Sequence, residues 1–358
     1  MTRKERLHRC YFNQEIDRPA VYSRTGFPAD DPTYDRLRSL FRERTELKGG
    51  WRGFRFSAAG SSSRAVEPHS EDFERHTTTL HTPAGDLRAS HMVSLKGLPG
   101  LQETYYITCR QDAETYLSLP IPEVLGDDGR FAETCARIGD AGIVEVSLGA
   151  NPGGTVAQLC GSETFAIMSI TDRDILHELC ERWTEAILRT VRHAAERGYG
   201  PYFCMAGEEY ILPPLHGRQD FIDFNAQYDR RIIDLIHDIG GRIHIHSHGS
   251  ISSVLQDFVD MGTDVLHPFE PPPLGDITAA DAKAVCRGKV CLEGNIQIHH
   301  MYEHTPAQVR AETEALIADV FDDQGGLIVC PSASPFIRGE GATCYPQYAA
   351  MVDAVLSR

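Results

Sequence analysis

The sequence predicts an α/β chain built as a (β/α)8 barrel, a TIM barrel, carrying a mixed elaboration at its N-terminus. Three observations support this. From about residue 130 onward, short apolar runs alternate with amphipathic stretches of helical period, the order expected of parallel strands joined by crossover helices. The runs and stretches repeat about six times, and two further strands would close a barrel of about 250 residues. The alternative, an open doubly wound sheet, should show a G-x-G-x-x-G turn after an early strand, and no such turn is present.

The expected strands are Gly142 to Leu148, Pro201 to Met205, Arg242 to His246, Asp264 to Pro268, Lys289 to Glu293 and Gly326 to Cys330. Short runs at Ala20-Val21-Tyr22 and Phe54-Arg55-Phe56 are the candidates that complete the eight. Helical patterns fall at Arg173 to Arg197, Asp220 to Ile239, Ile251 to Met261, Ala279 to Cys286, Pro306 to Phe321 and Tyr345 to Leu356. Residues 1–120 are irregular and rich in Pro, Gly, Ser and Thr. Within them, His76 to Met92 reads as a hairpin turning at Pro83-Ala84-Gly85-Asp86. One domain spanning 1–358 is expected, with the regular β/α units in 130–358.

The 358 residues carry 35 basic and 51 acidic side chains, a formal charge of −16. Such a field repels phosphate backbones and anionic lipid, which argues against nucleic-acid and membrane partners. No apolar run approaches the roughly 20 residues of a membrane span, and Met1-Thr2-Arg3-Lys4-Glu5-Arg6 leads into a charged helix without a signal-peptide core. A cytoplasmic protein is expected. The 10 cysteines form no C-x-x-C pair and read as free thiols, mostly small buried hydrophobes.

The most specific chemical feature is Arg242-Ile243-His244-Ile245-His246-Ser247-His248-Gly249. Period two places the three imidazoles on one side of a strand, at the C-terminal end where barrel active sites lie. Neutral imidazoles so spaced are good zinc ligands. A lone histidine on an apolar strand is usually a satisfied core residue, but three in alternation before a glycine mark His246 and His248 as metal candidates and His244 as a substrate contact. The next strand delivers His267 and Glu270 to the same face, Glu270 reading either as a site carboxylate or as a solvated loop residue stiffened by Pro271-Pro272-Pro273. Asn295 and Gln297 offer amides that position a polar substrate. Glu208-Glu209-Tyr210 offers paired carboxylates, of which Glu209 is the candidate catalytic group and Tyr210 a substrate contact. Cys330 is either a soft ligand or a buried thiol.

In their shared order, several segments resemble the uroporphyrinogen decarboxylase superfamily. They are Lys4-Glu5-Arg6-Leu7 through Asp17-Arg18-Pro19, the Gly240-to-Gly249 segment, Gly262-Thr263-Asp264, Leu292-Glu293-Gly294-Asn295-Ile296, Thr305-Pro306-Ala307-Gln308-Val309 and Gly325-Gly326-Leu327-Ile328-Val329. The chain looks closer to the corrinoid-linked zinc methyltransferase branch than to the haem-pathway decarboxylase. That branch carries His-x-Cys-Gly on the fifth strand and a further cysteine after the eighth. Here the motif falls on His246-Ser247-His248-Gly249, with histidine in the cysteine's place, and the late cysteine falls near Ala333, close to Cys330. The haem branch's arginine-rich loop reads Val21-Tyr22-Ser23-Arg24-Thr25-Gly26-Phe27-Pro28, with one arginine, which disfavours a polyanionic tetrapyrrole.

The resemblance implies an enzyme that uses zinc to move a methyl group between a small methylated substrate and a thiol or corrinoid acceptor, the corrinoid being carried by a partner protein. Its metal ligands would be His246, His248, Cys330 and one carboxylate, Glu209 or Glu270, with Glu209, Glu270 and Asn295 as catalytic groups and His244, His267, Gln297 and Tyr210 as substrate contacts. The family's paired barrels imply a homodimer. Two other readings remain open: a decarboxylase or lyase acting on a small carboxylic acid, and a barrel that binds a corrinoid protein or a ligand without chemistry.

Overall fold

The computed structural model describes residues 1–97 and 99–358. In chain order the strands are β1 (Ala20–Val21), β2 (Leu47–Trp51), β3 (Phe54–Phe56), β4 (Ser61–Pro68), β5 (Phe73–Thr82), β6 (Gly85–Ser94), β7 (Leu101–Thr104), β8 (Val124–Asp127), β9 (Gly142–Ala150), β10 (Tyr202–Ala206), β11 (Arg242–His246), β12 (Val265–His267), β13 (Cys291–Ile296) and β14 (Leu327–Pro331). Eight of them form one all-parallel sheet in the order β1-β14-β13-β12-β11-β10-β9-β2. The sheet curls until its end strands meet. There Glu46 N–H donates to the Val21 carbonyl at 3.0 Å, and Val21 N–H donates to Glu46 Oε2 at 2.7 Å. A buried carboxylate thus finishes the ladder where the two-residue β1 is too short to do so. Arg6 and Arg18 hold it in place at 2.6 and 2.9 Å.

The six later strands lie where the apolar runs placed them, within one to three residues at each end. The eighth barrel strand is not Phe54–Phe56, which pairs antiparallel with β8 outside the barrel. It is β2, whose Lys48-Gly49-Gly50 centre lacks the β-branched content of a strand. Its neighbour explains the small residues. A side chain at Gly142 would set its Cβ 1.7 Å from the Leu47 carbonyl oxygen, so β2 and β9 can pair at this spacing only because the position is bare.

Helix Arg3–Tyr11 closes the N-terminal end of the barrel. Its Leu7, Cys10 and Tyr11 pack with Ile143, Val265, Cys291 and Ile328, each from the start of a barrel strand. Crossover helices, among them Arg173–Glu196, Gln227–Asp238, Ala279–Cys286, Pro306–Val320 and Gly341–Leu356, cover the outer face. The hairpin expected between His76 and Met92 is present as β5 and β6, turning at Pro83-Ala84, and belongs to a four-stranded antiparallel sheet of β4 to β7. Among the described residues no helix is long and apolar enough to cross a membrane.

Candidate functional site

The C-terminal mouth of the barrel opens into a cavity of about 380 Å³ whose walls include Tyr22, Arg24, Lys48, Glu145, His244 and His246. Its floor is a charge network carried by residues that point inward from four different strands. Lys48, with its side chain 2% exposed, pairs with Glu293 and lies 3.9 Å from Glu145. Burial would lower the Lys48 ammonium, but the two carboxylates outweigh it and hold its pKa above the usual lysine value. Burial would likewise raise Glu145, and there Lys48 and then His244 prevail, holding the carboxyl at about 2. His244 Nδ1 stands 2.9 Å from Glu145 Oε1, and the Tyr11 hydroxyl donates to the same oxygen.

Above the floor three more imidazoles cluster. His246 Nδ1 and His267 Nδ1 face each other at 2.8 Å with their rings stacked, and the His246 ring packs against His248. Burial, then the neighbouring Arg24, pushes His246 down to about 2; burial, then His246, pushes His267 well below its ordinary range. Both rings are therefore neutral. His267 Nε2 lies 3.2 Å from the Pro331 carbonyl, to which it can donate, leaving Nδ1 as its unprotonated nitrogen. Two such nitrogens so close share either one proton or one cation. A ring anchored through its other N–H to a backbone carbonyl is the arrangement typical of a metal-bound histidine.

The residues present fit a zinc-class ion. The ligand atoms of His267, Glu293 and Cys330 lie within 4.8 Å of one another, all three residues are buried, and Glu293 Oε1 has no hydrogen-bond partner. Burial pushes the Cys330 thiol well above its ordinary range, so the thiol stays protonated unless a cation replaces the proton. The structure thus groups Cys330 with His267, expected as a substrate contact, and with Glu293, which the sequence reading left without a role. His248 and Glu270, expected to share the ion with His246 and Cys330, instead pair with each other at 3.1 Å, and Glu270 also accepts from Gly249 N–H at 3.2 Å.

The other expected residues lie elsewhere. Glu209 accepts from Gly207 N–H at 3.1 Å and, like Glu208, does not line the barrel cavity. Tyr210 lines a separate cleft with Tyr105 and Gln102. Asn295 and Gln297 donate to the carbonyls of Phe269 and Pro271 at 2.9 and 2.8 Å and border a groove outside the cavity. Besides Glu293, three residues of the site escaped the sequence reading: Lys48, Glu145 and, as a cavity group, Arg24. Glu145 had a visible signal, a lone carboxylate inside the apolar run Gly142-Ile143-Val144-Glu145-Val146. Lys48 had none, because its strand was not legible.

Among solved structures, a methyltransferase from Methanosarcina mazei is similar with a TM-score of 0.60 and 15% identity, over 100% of this chain and 99% of that one. A B12-independent methionine synthase from Shewanella sp. W3-18-1, in complex with selenomethionine, gives a TM-score of 0.47 and 10% identity over 82% of this chain and 75% of that one. The first of these likenesses concerns the fold. No curated protein sequence matches the chain. The family model described as uroporphyrinogen decarboxylase (URO-D) matches residues 133–337. That match covers more than half of the sequence and runs from just before β9 to just beyond β14, the stretch that supplies Glu145, the four histidines, Glu293 and Cys330, and so the chain belongs to the uroporphyrinogen decarboxylase (URO-D) family.

Proposed function

We propose that this chain catalyses methyl transfer from a small methylated substrate to a thiol or to a corrinoid carried by a partner protein, with a zinc ion held by His267, Glu293 and Cys330 beside His246. The observation that carries this reading is the convergence of a thiol, an imidazole and a carboxylate on one buried point inside the barrel, a donor set that suits zinc better than magnesium or calcium. A zinc ion there would supply Lewis acidity that favours the thiolate form of an acceptor. Lys48 balances the floor carboxylates, with little of its side chain exposed. Glu145 holds the His244 ring in one orientation through Nδ1. His248 and Glu270 form a hydrogen-bonded couple beside His246, with the imidazole half-exposed.

Two measurements test this. Purified protein should carry about one equivalent of zinc at this site, the Cys330→Ser variant should lose it, and the wild type should demethylate a small donor in the presence of a thiol or a corrinoid acceptor. Zinc retained in full by Cys330→Ser would sink the ligand assignment.

A second reading is favoured by Arg24. Its guanidinium borders the cavity, bonds to His246 at 3.0 Å, and forms no ion pair with a carboxylate among the described residues. A free guanidinium in that position suits a substrate carboxylate. Release of carbon dioxide from a small acid, with no methyl acceptor present, would establish decarboxylation instead.

A further inference from the structure

A second cluster of ligating side chains lies outside the barrel cavity. His300, in the short helix His300–Glu303, and His304, its C-cap, stack their rings with centroids 3.8 Å apart and planes 15° from parallel. Both direct Nδ1 at one carboxylate: His300 Nδ1 is 2.9 Å from Glu312 Oε2, and His304 Nδ1 is 2.6 Å from Glu312 Oε1. The three ligand atoms lie within 4.8 Å of one another. Among the described residues no lysine or arginine pairs with Glu312, and its two side-chain partners are the imidazoles of His300 and His304.

From this geometry we infer a second site for a divalent transition ion of the zinc class, with His300, His304 and Glu312 as ligands. The chain is built to hold these groups in register. His300 and His304 are four residues apart, which puts them on one side of a helical turn. The Thr305 hydroxyl accepts from Gln308 N–H and the Gln308 side chain accepts from Thr305 N–H, a reciprocal cap that fixes the start of helix Pro306–Val320 directly after His304. Gln347 donates to the His304 carbonyl at 2.9 Å and anchors that residue from helix Gly341–Leu356.

Neither ring has its Nε2 bonded within the described protein. Each ring can carry a proton on Nε2, which leaves Nδ1 available to a cation. At ligand bonds of about 2.0–2.1 Å the donor atoms of a tetrahedral site stand about 3.3 Å apart, so the present contacts need to spread by roughly 0.5 Å, and the two stacked rings must turn out of parallel to bring both in-plane Nδ1 lone pairs onto one ion. The long Glu312 side chain absorbs such a change. Two imidazoles and one carboxylate favour zinc over the hard oxygen-seeking cations. A groove of about 370 Å³ that His300 and Glu312 share with Gln297 and Thr278 leaves room for water or a small anion as the fourth ligand. The ion would tie the segment that follows β13, and with it Asn295 and Gln297, to helix Pro306–Val320.

The two sites separate in a titration of metal-free protein with zinc and cobalt(II). Wild type should take up one ion here irrespective of the barrel. The paired substitution His300→Ala with His304→Ala should abolish that equivalent, and Glu312→Gln, which keeps the side chain's shape, should weaken it at least tenfold. Cobalt bound here by nitrogen and oxygen should show no thiolate-to-metal absorption, and Cys330→Ser should leave its spectrum unchanged. Zinc uptake that is the same in wild type and in the folded Glu312→Gln and His300→Ala/His304→Ala variants overturns the inference, as does a wild type whose only bound ion carries the thiolate band. If the barrel binds no metal at all, the titration still reads this site, as one equivalent rather than two.

Discussion

Lys48 on β2 and Glu293 on β13 form an ion pair across the inside of the barrel, with side chains 2% and 0% exposed. Strands far apart in the sheet order are thereby joined through the interior. Taking one partner away leaves a charge in a place water does not reach. Lys48→Met is expected to destabilise the fold by about 3–5 kcal/mol, whereas the double change Lys48→Met with Glu293→Leu should recover much of that loss. Urea unfolding of the two variants checks it, and equal losses in both would show that the pair's burial is not the cause.

The close approach of β2 to β9 leads to a second expectation. Because a Cβ at Gly142 would overlap the Leu47 carbonyl, Gly142→Ala must push the two strands apart along the barrel wall. Overpacking of this kind costs about 1–3 kcal/mol, and more where backbone is the obstacle. Thermal unfolding of Gly142→Ala should show a clear drop, while Gly50→Ala, where added carbon meets nothing within 4 Å, should change little.

What was legible in the sequence follows from how each element is stabilised. The strands β9 to β14 are buried on both faces, so they appear as apolar runs. The histidines of β11 were visible because a period of two is itself a statement about direction. β2 was not legible, since its strand character comes from pairing with β9 and from Lys48 turned inward to two acids, and neither partner is near it in sequence. The grouping of Cys330 with His267 and Glu293 was hidden for the same reason: it depends on three neighbouring strands, and spacing within one strand cannot show it.

Asp229 leads to a pH prediction away from the barrel cavity. It is fully buried, accepts from Asn151 Nδ2 at 2.9 Å, and faces Glu208, whose two carboxyl oxygens have no partner, and the Cys180 thiol. Burial raises Asp229 to about 8, against the weaker opposing bond from Asn151, and burial with the neighbouring Asp229 raises Glu208 as well. The native state therefore keeps protons that the unfolded chain releases near pH 4. Stability from this pair is complete below about pH 4 and is lost as pH climbs toward 8. Asp229→Asn should flatten that part of the profile. Urea midpoints compared between about pH 5 and pH 8 decide it, and a wild type that gains stability over that interval while Asp229→Asn gains equally would refute the assignment.

Arg24 allows the sharpest test of what the cavity accepts. A guanidinium at its wall, bonded among the described residues only to two neutral imidazoles, has donor capacity left over, because both ring nitrogens, at 3.0 and 3.5 Å, meet Nη1 and the N–H groups on Nε and Nη2 are not engaged by them. An incoming carboxylate can take the remaining donors in a bidentate pair. Small carboxylic acids should therefore raise the unfolding temperature of the wild type, by an amount that grows with concentration and corresponds to about 2.7 kcal/mol once the acid reaches a hundred times its dissociation constant. Neutral amide or ester analogues of the same acids should not. Arg24→Met keeps an unbranched apolar stem and removes the charged head, so it should abolish the stabilisation, while Arg24→Lys should retain part of it without the bidentate geometry. A wild type stabilised equally by an acid and its amide, or an Arg24→Met variant stabilised as strongly as wild type, would show that the anion site is not here.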